Sequence, residues 1–285
     1  EGGIYDHLRG GFHRYSTDTY WLVPHFEKML YDNALLIRLY LHAYQVTGNH
    51  LYRVVVEETL DYVIAEMTHE SGGFFSSQDA DTEGEEGKYF VWRPEEIEDI
   101  LGKEQANLFN KYFNVNIDGN FEGMSILNVK MDKSEFISLE GLEESEFEQF
   151  ISRSKHLLLK SRGNRISPDI DDKILTSWNA LMLGAFAEAG SILGRSDYVS
   201  IAEKSAGYIL KTLVTDGRLL RTCRNGQAKL QGYLEDYSFL VNSLILLHEA
   251  TLSGKWLSLA IEFAENMIYL FWDKTNRQFY DTGID

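Results

Sequence analysis

The sequence predicts an all-α fold, an α/α toroid of inner and outer helical hairpins that carries β-hairpin loops at its mouth. Three segments, which begin at Asp32, Ser177 and Asp236, share one plan. Each starts with a helix that is apolar nearly all round, and an amphipathic helix follows after a short glycine-bearing turn. A stacked solenoid of helix pairs is the alternative. The apolar first helices favour a closed ring, because a ring hides its inner helices.

The elements of each repeat follow from local signals. Gly48, Gly194 and Gly254 are predicted to end the inner helices as left-handed caps. In the first outer helix, one stripe faces inwards and another outwards. The inward stripe is Val55, Leu60, Val63 and Met67, and the outward stripe is Arg53, Glu57, Asp61 and Glu66.

The long connections precede the inner helices and are where we expect function. Asp32, Ser177 and Asp236 are predicted N-caps there, so positive helix ends would point at the same mouth. Two connections, residues 73–92 and 218–233, are predicted β-hairpins, and the second turns at Asn225-Gly226. Pro94 is predicted to open a helix. We interpret residues 1–285 as a single domain with a degenerate or inserted region at about 94–165 that carries about three helices.

Composition excludes several partner classes. The chain has 285 residues and a formal net charge of -17, which disfavours nucleic acid and anionic membranes. Its single cysteine, Cys223, excludes an internal disulfide and fits a reducing, cytoplasmic location. We find no motif for a metal or a nucleotide cofactor, and we expect neither. The chain begins with Glu1 and ends just after an apparent strand start, so we expect a fragment of a longer protein.

The stretch from residue 3 to residue 36 is too rich in polar groups to be explained by folding alone. His13 and His25 are its acid–base candidates, because histidine titrates near neutral pH. Asp79, Asp81, Glu83 and Glu85 alternate in the first predicted hairpin, so a strand would place them on one face. Paired carboxylates serve glycoside chemistry, although a solvated acidic tip is the simpler interpretation.

Two further clusters precede the second and third inner helices. The first is Asp171-Asp172-Lys173 with Trp178, and the second is Glu235-Asp236-Tyr237. A plain helix start with charged flanks is the alternative for both. Aromatic residues near these loops, including Trp21, suit sugar stacking.

Four motifs carry a family resemblance: GGFHRYSTDTYWLVPHFEKMLYDNALL, SSQDADTEGEEGKYFVWRPEEI, DDKILTSWNALM and GYLEDYSFL. In collinear order they resemble the thioredoxin-domain-containing family that includes spermatogenesis-associated protein 20. The resemblance implies an (α/α)6 barrel similar to six-hairpin glycosidases and N-acylglucosamine 2-epimerase. It also implies a preceding thioredoxin-like domain and final barrel helices that are absent from this chain.

The leading hypothesis is a carbohydrate-active pocket, either a sugar isomerase or epimerase or a glycoside-hydrolase-like enzyme. The catalytic candidates are His13, His25, Asp81, Asp172 and Asp236. The substrate-binding candidates are Arg14, Tyr15, Glu27, Lys28, Asp79, Lys173, Trp178, Asn179, Glu235 and Tyr237. The expected partners are a small-molecule sugar and the thioredoxin-like domain of the full-length chain. The alternative is a non-catalytic ligand- or peptide-binding scaffold fused to that redox domain.

Overall fold

The computed structural model describes all 285 residues, and helices dominate it. The ten helices are α1 Leu30–Thr47, α2 His50–Glu66, α3 Pro94–Leu101, α4 Lys103–Tyr112, α5 Lys133–Glu140, α6 Glu144–Arg162, α7 Thr176–Leu193, α8 Ser196–Thr212, α9 Leu234–Thr251 and α10 Gly254–Phe271. The strands are β1 Tyr15–Ser16, β2 Pro24–His25, β3 Lys28–Met29, β4 Ser77–Gln78, β5 Asp81–Thr82, β6 Glu85–Glu86, β7 Ile170–Asp171, β8 Ile174–Leu175, β9 Val214–Thr215, β10 Arg218–Arg224, β11 Gln227–Gln231, β12 Trp272–Asp273 and β13 Gln278–Phe279. No helix is both long and apolar enough to pass through a membrane.

The chain divides into two compact units. The first unit comprises Glu1–Lys28 and Gln78–Asp169, and the second comprises Met29–Ser77 and Ile170–Asp285. All three repeats lie in the second unit, whereas the poorly fitting region from Pro94 onwards lies in the first.

The second unit consists of three helix pairs, α1 with α2, α7 with α8, and α9 with α10, as the repeats predict. Helix α7 packs against α1, α8 and α9, and it is almost entirely buried from Ala180 to Ala189. At Gly184 an added Cβ atom would lie 2.8 Å from Ser243 Oγ, so α7 and α9 approach too closely for a larger residue. The outer-helix stripe is also confirmed, since Val55, Leu60, Val63 and Met67 are all buried.

All-round burial of every first helix is wrong for α9, where Ile245 is 37% exposed, and more clearly wrong for α1. Leu35 and Leu39 of α1 are 50% and 62% exposed. Helix α1 packs against α7 on one side and α2 on another. Its remaining side therefore keeps apolar residues in solvent, which α7 does not.

The predicted helix caps need correction. Asp32, Ser177 and Asp236 lie inside their helices, because the chain enters each helix earlier. The N-cap residues, all in extended backbone conformation, are Met29, Leu175 and Tyr233. Asp236 nevertheless contributes to the helix start, since its carboxylate accepts the Tyr233 N–H as one half of a capping box.

The glycine caps are confirmed at two of their three positions. Gly48 and Gly194 end α1 and α7 in the left-handed region, at φ values of 67° and 69°. At the end of α9, Leu252 takes that conformation at φ 55°, and Gly254 is instead the first residue of α10. A non-glycine residue in this region is uncommon, and sequence rules therefore place the cap at the nearby glycine.

The first unit holds four helices after residue 94, α3 to α6, rather than the predicted three. Pro94 opens α3 as predicted. Trp92, Ile97, Phe109 and Leu158 form a core there, and a smaller core surrounds Phe26 and Phe90. The first unit therefore has an apolar interior of its own.

Both predicted hairpins exist, but the acidic one is shorter than expected. β10 and β11 pair on either side of Asn225 and Gly226. β5 and β6 pair with Asp81 opposite Glu86, and Glu83 lies in the turn at φ 56°. A single face for the four alternating acidic residues is therefore wrong, because the turn reverses the chain at Glu83.

Candidate functional site

A short hairpin stem in the first unit carries His25, a partly exposed acid–base candidate. β1 and β2 pair antiparallel, with Tyr15 opposite His25 and Ser16 opposite Pro24. The Tyr15 ring lies 5.1 Å from the His25 ring, and Tyr15 is 51% exposed. The sequence produces this arrangement because Pro24 sits at an extended position where no ladder N–H is needed.

Two carboxylates flank His25. Its Nδ1 lies 2.7 Å from Glu86 Oε1, and its Nε2 lies 3.5 Å from Glu27 Oε2. The His25 side chain keeps 28% of its surface exposed. The short Nδ1 contact makes Glu86 the acceptor of the Nδ1–H, so the tautomer with a lone pair on Nε2 is favoured. A ring held in this way can accept a proton and then be stabilised as imidazolium.

Arg14 and Glu27 complete the stem. Arg14 Nη1 donates to Glu27 Oε2 across 3.1 Å. Glu86 also accepts the Phe26 N–H at 3.2 Å, which fixes its carboxylate against the strand. The candidates Arg14, Tyr15, His25 and Glu27 are thus brought together within one unit.

His13 lies in a different, closed environment. It is 2% exposed, its Nδ1 bonds to the Phe26 carbonyl at 2.8 Å, and its ring packs against Phe26 and Phe90. Burial and the nearby charge of Lys28 lower the pKa of His13 to about 3. At neutral pH the ring is therefore uncharged and shielded from external ligands.

Lys28 belongs to a buried ion cluster beside His13. Arg162 contacts both oxygens of Asp6, at 3.0 and 2.8 Å, and Lys28 Nζ lies 2.9 Å from Asp6 Oδ2. Burial alone would raise the pKa of Asp6, but the charges of Arg162 and Lys28 hold it well below its usual range. All three side chains are almost fully buried, so Lys28 cannot reach an external substrate.

A small cavity of about 20 Å³ adjoins this cluster. Its lining includes Asp6, His7, His13, Phe90 and Arg162. A volume of this size holds roughly one water molecule. The cavity is therefore too small for a sugar.

In the second unit, Asp236 is a buried junction between two helix starts. One oxygen accepts the Ser177 N–H of α7 at 2.9 Å, and the other accepts the Tyr233 N–H at 2.8 Å. Arg221 Nη1 lies 3.1 Å from the second oxygen and 2.9 Å from Glu235. Burial raises the pKa of Asp236, although these donors oppose the shift. Its observed contacts hold α7 and α9 together.

The other charged candidates of the second unit are nearer to solvent. Asp172 pairs with Arg224 at 2.6 Å, and Lys173 pairs with Asp171 at 2.9 Å. The Trp178 ring lies 4.8 Å from the ring of Tyr31, which joins the first turns of α7 and α1. This aromatic pair is partly exposed, so it can contact a ligand.

The side chains of two candidates form hydrogen bonds to backbone groups of the protein. Asn179 bonds to both the N–H and the carbonyl of Phe74, at 2.7 and 2.9 Å. The Tyr237 hydroxyl accepts the Leu219 N–H at 2.9 Å. Both side chains are fully buried, so we do not carry them into the proposed site.

Asp79 and Asp81 are exposed in and beside the acidic hairpin. Asp81 lies opposite Glu86 in the β5–β6 register, so it is one strand away from the group that binds His25. Sequence reasoning missed Glu86 and Arg162 as partners. The hairpin turn at Glu83-Gly84 was a usable signal for Glu86, because it sets which residue opposes Asp81.

The predicted site residues divide between the two units. The hypothesis that His25, Asp81, Asp172 and Asp236 share one cavity joins residues of both and stays a prediction. No group of three or more His, Cys, Asp or Glu side chains is arranged to hold a metal ion.

Comparison with known proteins shows which of them the chain is similar to. No family model matches the sequence. Spermatogenesis-associated protein 20 of Homo sapiens is 34% identical over 95% of this chain and 39% of that protein. Uncharacterized protein B0495.5 of Caenorhabditis elegans is 29% identical over 96% of this chain and 42% of its own length. Over this aligned part, the chain is homologous to spermatogenesis-associated protein 20.

The chain spans about two fifths of the length of these relatives. Among solved structures, one of UGL named with the saccharide dGlcA-Glc-Rha-Glc has a TM-score of 0.55 and 11% identity. The match covers 98% of this chain and 57% of the UGL chain. The predicted fold class, an all-α toroid of helical hairpins with β-hairpin loops, is confirmed.

Proposed function

We propose that the chain is a carbohydrate-active enzyme in which His25 transfers a proton. The observation that carries the proposal is the His25 ring, which Glu86 holds at 2.7 Å through Nδ1 while part of the ring stays open to solvent. The fold shared with a UGL structure that is named with a saccharide supports sugars as the substrate class. Sugar isomerisation or epimerisation and glycoside hydrolysis both fit this centre.

The chemistry starts from the lone pair on His25 Nε2. For isomerisation, Nε2 takes the proton from the carbon next to the carbonyl of an open-chain sugar and returns it to the carbonyl carbon. The hydroxyl proton moves to the former carbonyl oxygen, so the base ends as it began. For hydrolysis, Nε2 takes a proton from the attacking water, and Asp81 is the proposed acid for the leaving oxygen.

The two carboxylates beside the ring hold it in place and face the charge that forms on it in either reaction. Glu86 bonds the Nδ1–H, and Glu27 lies 3.5 Å from Nε2, where it stabilises the imidazolium that forms. Arg14 keeps Glu27 in position through its 3.1 Å contact. Tyr15, at the side of the ring, offers an aromatic face to a sugar.

The test is a panel of free aldoses, ketoses and oligosaccharides, incubated with the protein in D2O. NMR reports new isomers and deuterium on carbon, and a reducing-end assay reports hydrolysis. We expect one class to turn over, and we expect His25→Gln to slow it at least ~100-fold, the usual contribution of a general base.

The matched control is His42→Gln. His42 is a half-exposed histidine that also lies 2.7 Å from a carboxylate, that of Glu188. Its loss should leave turnover unchanged. No turnover with any sugar class, or an equal loss in both variants, overturns the proposal and favours a non-catalytic scaffold.

A further inference from the structure

The loop at the far end of the β1–β2 hairpin presents two aromatic side chains to solvent. Tyr20 and Trp21 are 87% and 61% exposed, and we call them the aromatic tip. Large aromatic side chains are usually at least partly buried, because burial of their surface is strongly favourable. Two neighbouring exposed rings therefore need an explanation other than packing.

The loop backbone is held in a fixed shape from inside. The Asp18 carboxylate accepts the N–H groups of Tyr20, Leu22 and Val23. These backbone hydrogen bonds lower the pKa of Asp18, so it stays ionised at neutral pH. The Thr17 N–H also bonds to the Val23 carbonyl at 2.8 Å, which closes the loop across its base.

The same loop is held from outside by the start of the chain. Gly3 donates its N–H to the Trp21 carbonyl at 3.0 Å. A Cβ atom at Gly2 would lie 2.2 Å from the Trp21 carbonyl oxygen, and one at Gly3 would lie 1.9 Å from the Leu22 carbonyl oxygen. Only glycine permits this approach, so both positions fix where the loop backbone lies.

Trp21 itself occupies an unfavourable backbone conformation. Its φ is 60°, in the left-handed region that bulky residues avoid. Strain of this kind persists only where the surrounding structure enforces it, and it concentrates at ligand-binding positions. Here the enforced conformation presents the indole to solvent instead of burying it.

We infer that the aromatic tip is a saccharide-binding subsite that stacks on a sugar ring, and that the substrate is therefore an oligosaccharide rather than a single sugar. This inference rests on the proposed function of His25. The hairpin links the two places directly, because its stem pairs Tyr15 with His25 and its loop carries Tyr20 and Trp21. Aromatic faces stack well on the apolar faces of sugars, and Tyr and Trp keep a polar atom for a hydroxyl.

The length of the stem sets the size of the ligand. Val23, in the last hydrogen-bonded pair of the hairpin, lies about 7 Å along the strand from His25. Trp21 lies beyond that pair. A ligand that reaches the His25 ring and also stacks on the tip needs two or more linked sugar rings.

The experiment compares linear tetrasaccharides with their component monosaccharides. Calorimetry gives binding, and the assays described above give kcat and KM. The variant is Trp21→Gly, which removes the indole and suits the positive φ, so its thermal midpoint should be no lower than that of the unmodified protein. The control is Tyr269→Ala, which removes an aromatic side chain that is 73% exposed on α10.

We expect Trp21→Gly to weaken tetrasaccharide binding and raise the tetrasaccharide KM about tenfold, the loss of one stacking contact of ~1.4 kcal/mol. Its monosaccharide kcat and KM should not change, and Tyr269→Ala should change nothing. Equal KM values for tetrasaccharides in Trp21→Gly and the unmodified protein overturn the subsite but leave the role of His25 intact. Loss of tetrasaccharide binding in Trp21→Gly, with turnover that does not depend on His25, supports the subsite and overturns the proposed function.

Discussion

His13 and His25 are twelve residues apart in one polar stretch, yet their surroundings are opposite. His13 is 2% exposed, packs against two phenylalanine rings and has its pKa lowered to about 3. His25 keeps 28% of its side chain exposed and has carboxylates on both ring nitrogens. Burial therefore holds one histidine neutral, and the other, partly exposed between two carboxylates, is the one that we propose for proton transfer.

The comparison shows that burial decides whether a histidine of this stretch stabilises the fold or stays accessible for chemistry. Around His13, buried Asp6, Lys28 and Arg162 neutralise one another in part and fix the fold of the first unit. Around His25, Glu27 and Glu86 are partly exposed, so solvent reaches this group of side chains. We therefore expect substitutions in the buried cluster to change stability and substitutions in the stem to change turnover.

The largest effect should come from Asp6→Asn. Removal of the carboxylate leaves Lys28 and Arg162 buried without their shared counter-charge, which typically destabilises a protein by ~3–5 kcal/mol. Urea unfolding measures this loss. Asp79→Asn, at an exposed position, is the control and should change the unfolding free energy by less than ~0.5 kcal/mol. A loss below ~1 kcal/mol for Asp6→Asn would contradict the assignment of this cluster to stability.

The second prediction concerns the pH dependence of unfolding. The folded protein keeps His13 neutral to about pH 3, whereas the unfolded chain binds a proton near pH 6.5. The stabilising contribution is therefore complete above pH 6.5 and is lost as pH falls towards 3, by up to ~1.4 kcal/mol per pH unit. His7, whose pKa burial also lowers to about 3, contributes in the same direction.

Unfolding free energies measured between pH 7 and pH 4.5 test this slope. His13→Gln should lower the number of protons taken up on unfolding by one, which makes the slope shallower. His7→Gln should lower it by a similar amount. An unchanged slope in His13→Gln would show that His13 is protonated in the folded state.

The smallest effect should come from Glu86→Gln. The amide still fills the space beside His25 Nδ1, but it loses the charge that stabilises the imidazolium. A charged hydrogen bond exceeds a neutral one by ~1.4 kcal/mol, so we expect about tenfold slower turnover. Glu85→Gln is the control, because Glu85 is on the same strand but pairs with Lys88. Equal rates for the two variants would remove Glu86 from the site.

Local signals in the sequence predicted most of the fold. The repeat pattern predicted the three helix pairs, Asn225-Gly226 predicted the β10–β11 turn, and Pro94 predicted the start of α3. Each of these signals acts over a few neighbouring residues. The helix caps were predicted less well, because the extended residues that precede α1 and α7 belong to strands whose pairing depends on distant segments.

The candidate site depends on contacts that sequence spacing does not encode. Glu86 reaches His25 across 61 positions, and Arg162 reaches Asp6 across 156. The family motif made His13 and His25 equal candidates. It could not separate them, because burial is a property of the packed fold. The strained conformation of Trp21 was equally out of reach, since no pattern predicts positive φ at a tryptophan.

Chemical rescue tests the role of His25 most directly. His25→Ala should lose turnover at least ~100-fold, and added imidazole should restore part of it with saturation, since the space left by the ring can hold a free base. His42→Ala, the matched variant, should keep its turnover and show no response to imidazole. A His25→Ala protein that retains full turnover, or one that imidazole does not rescue at any concentration, would contradict proton transfer by His25.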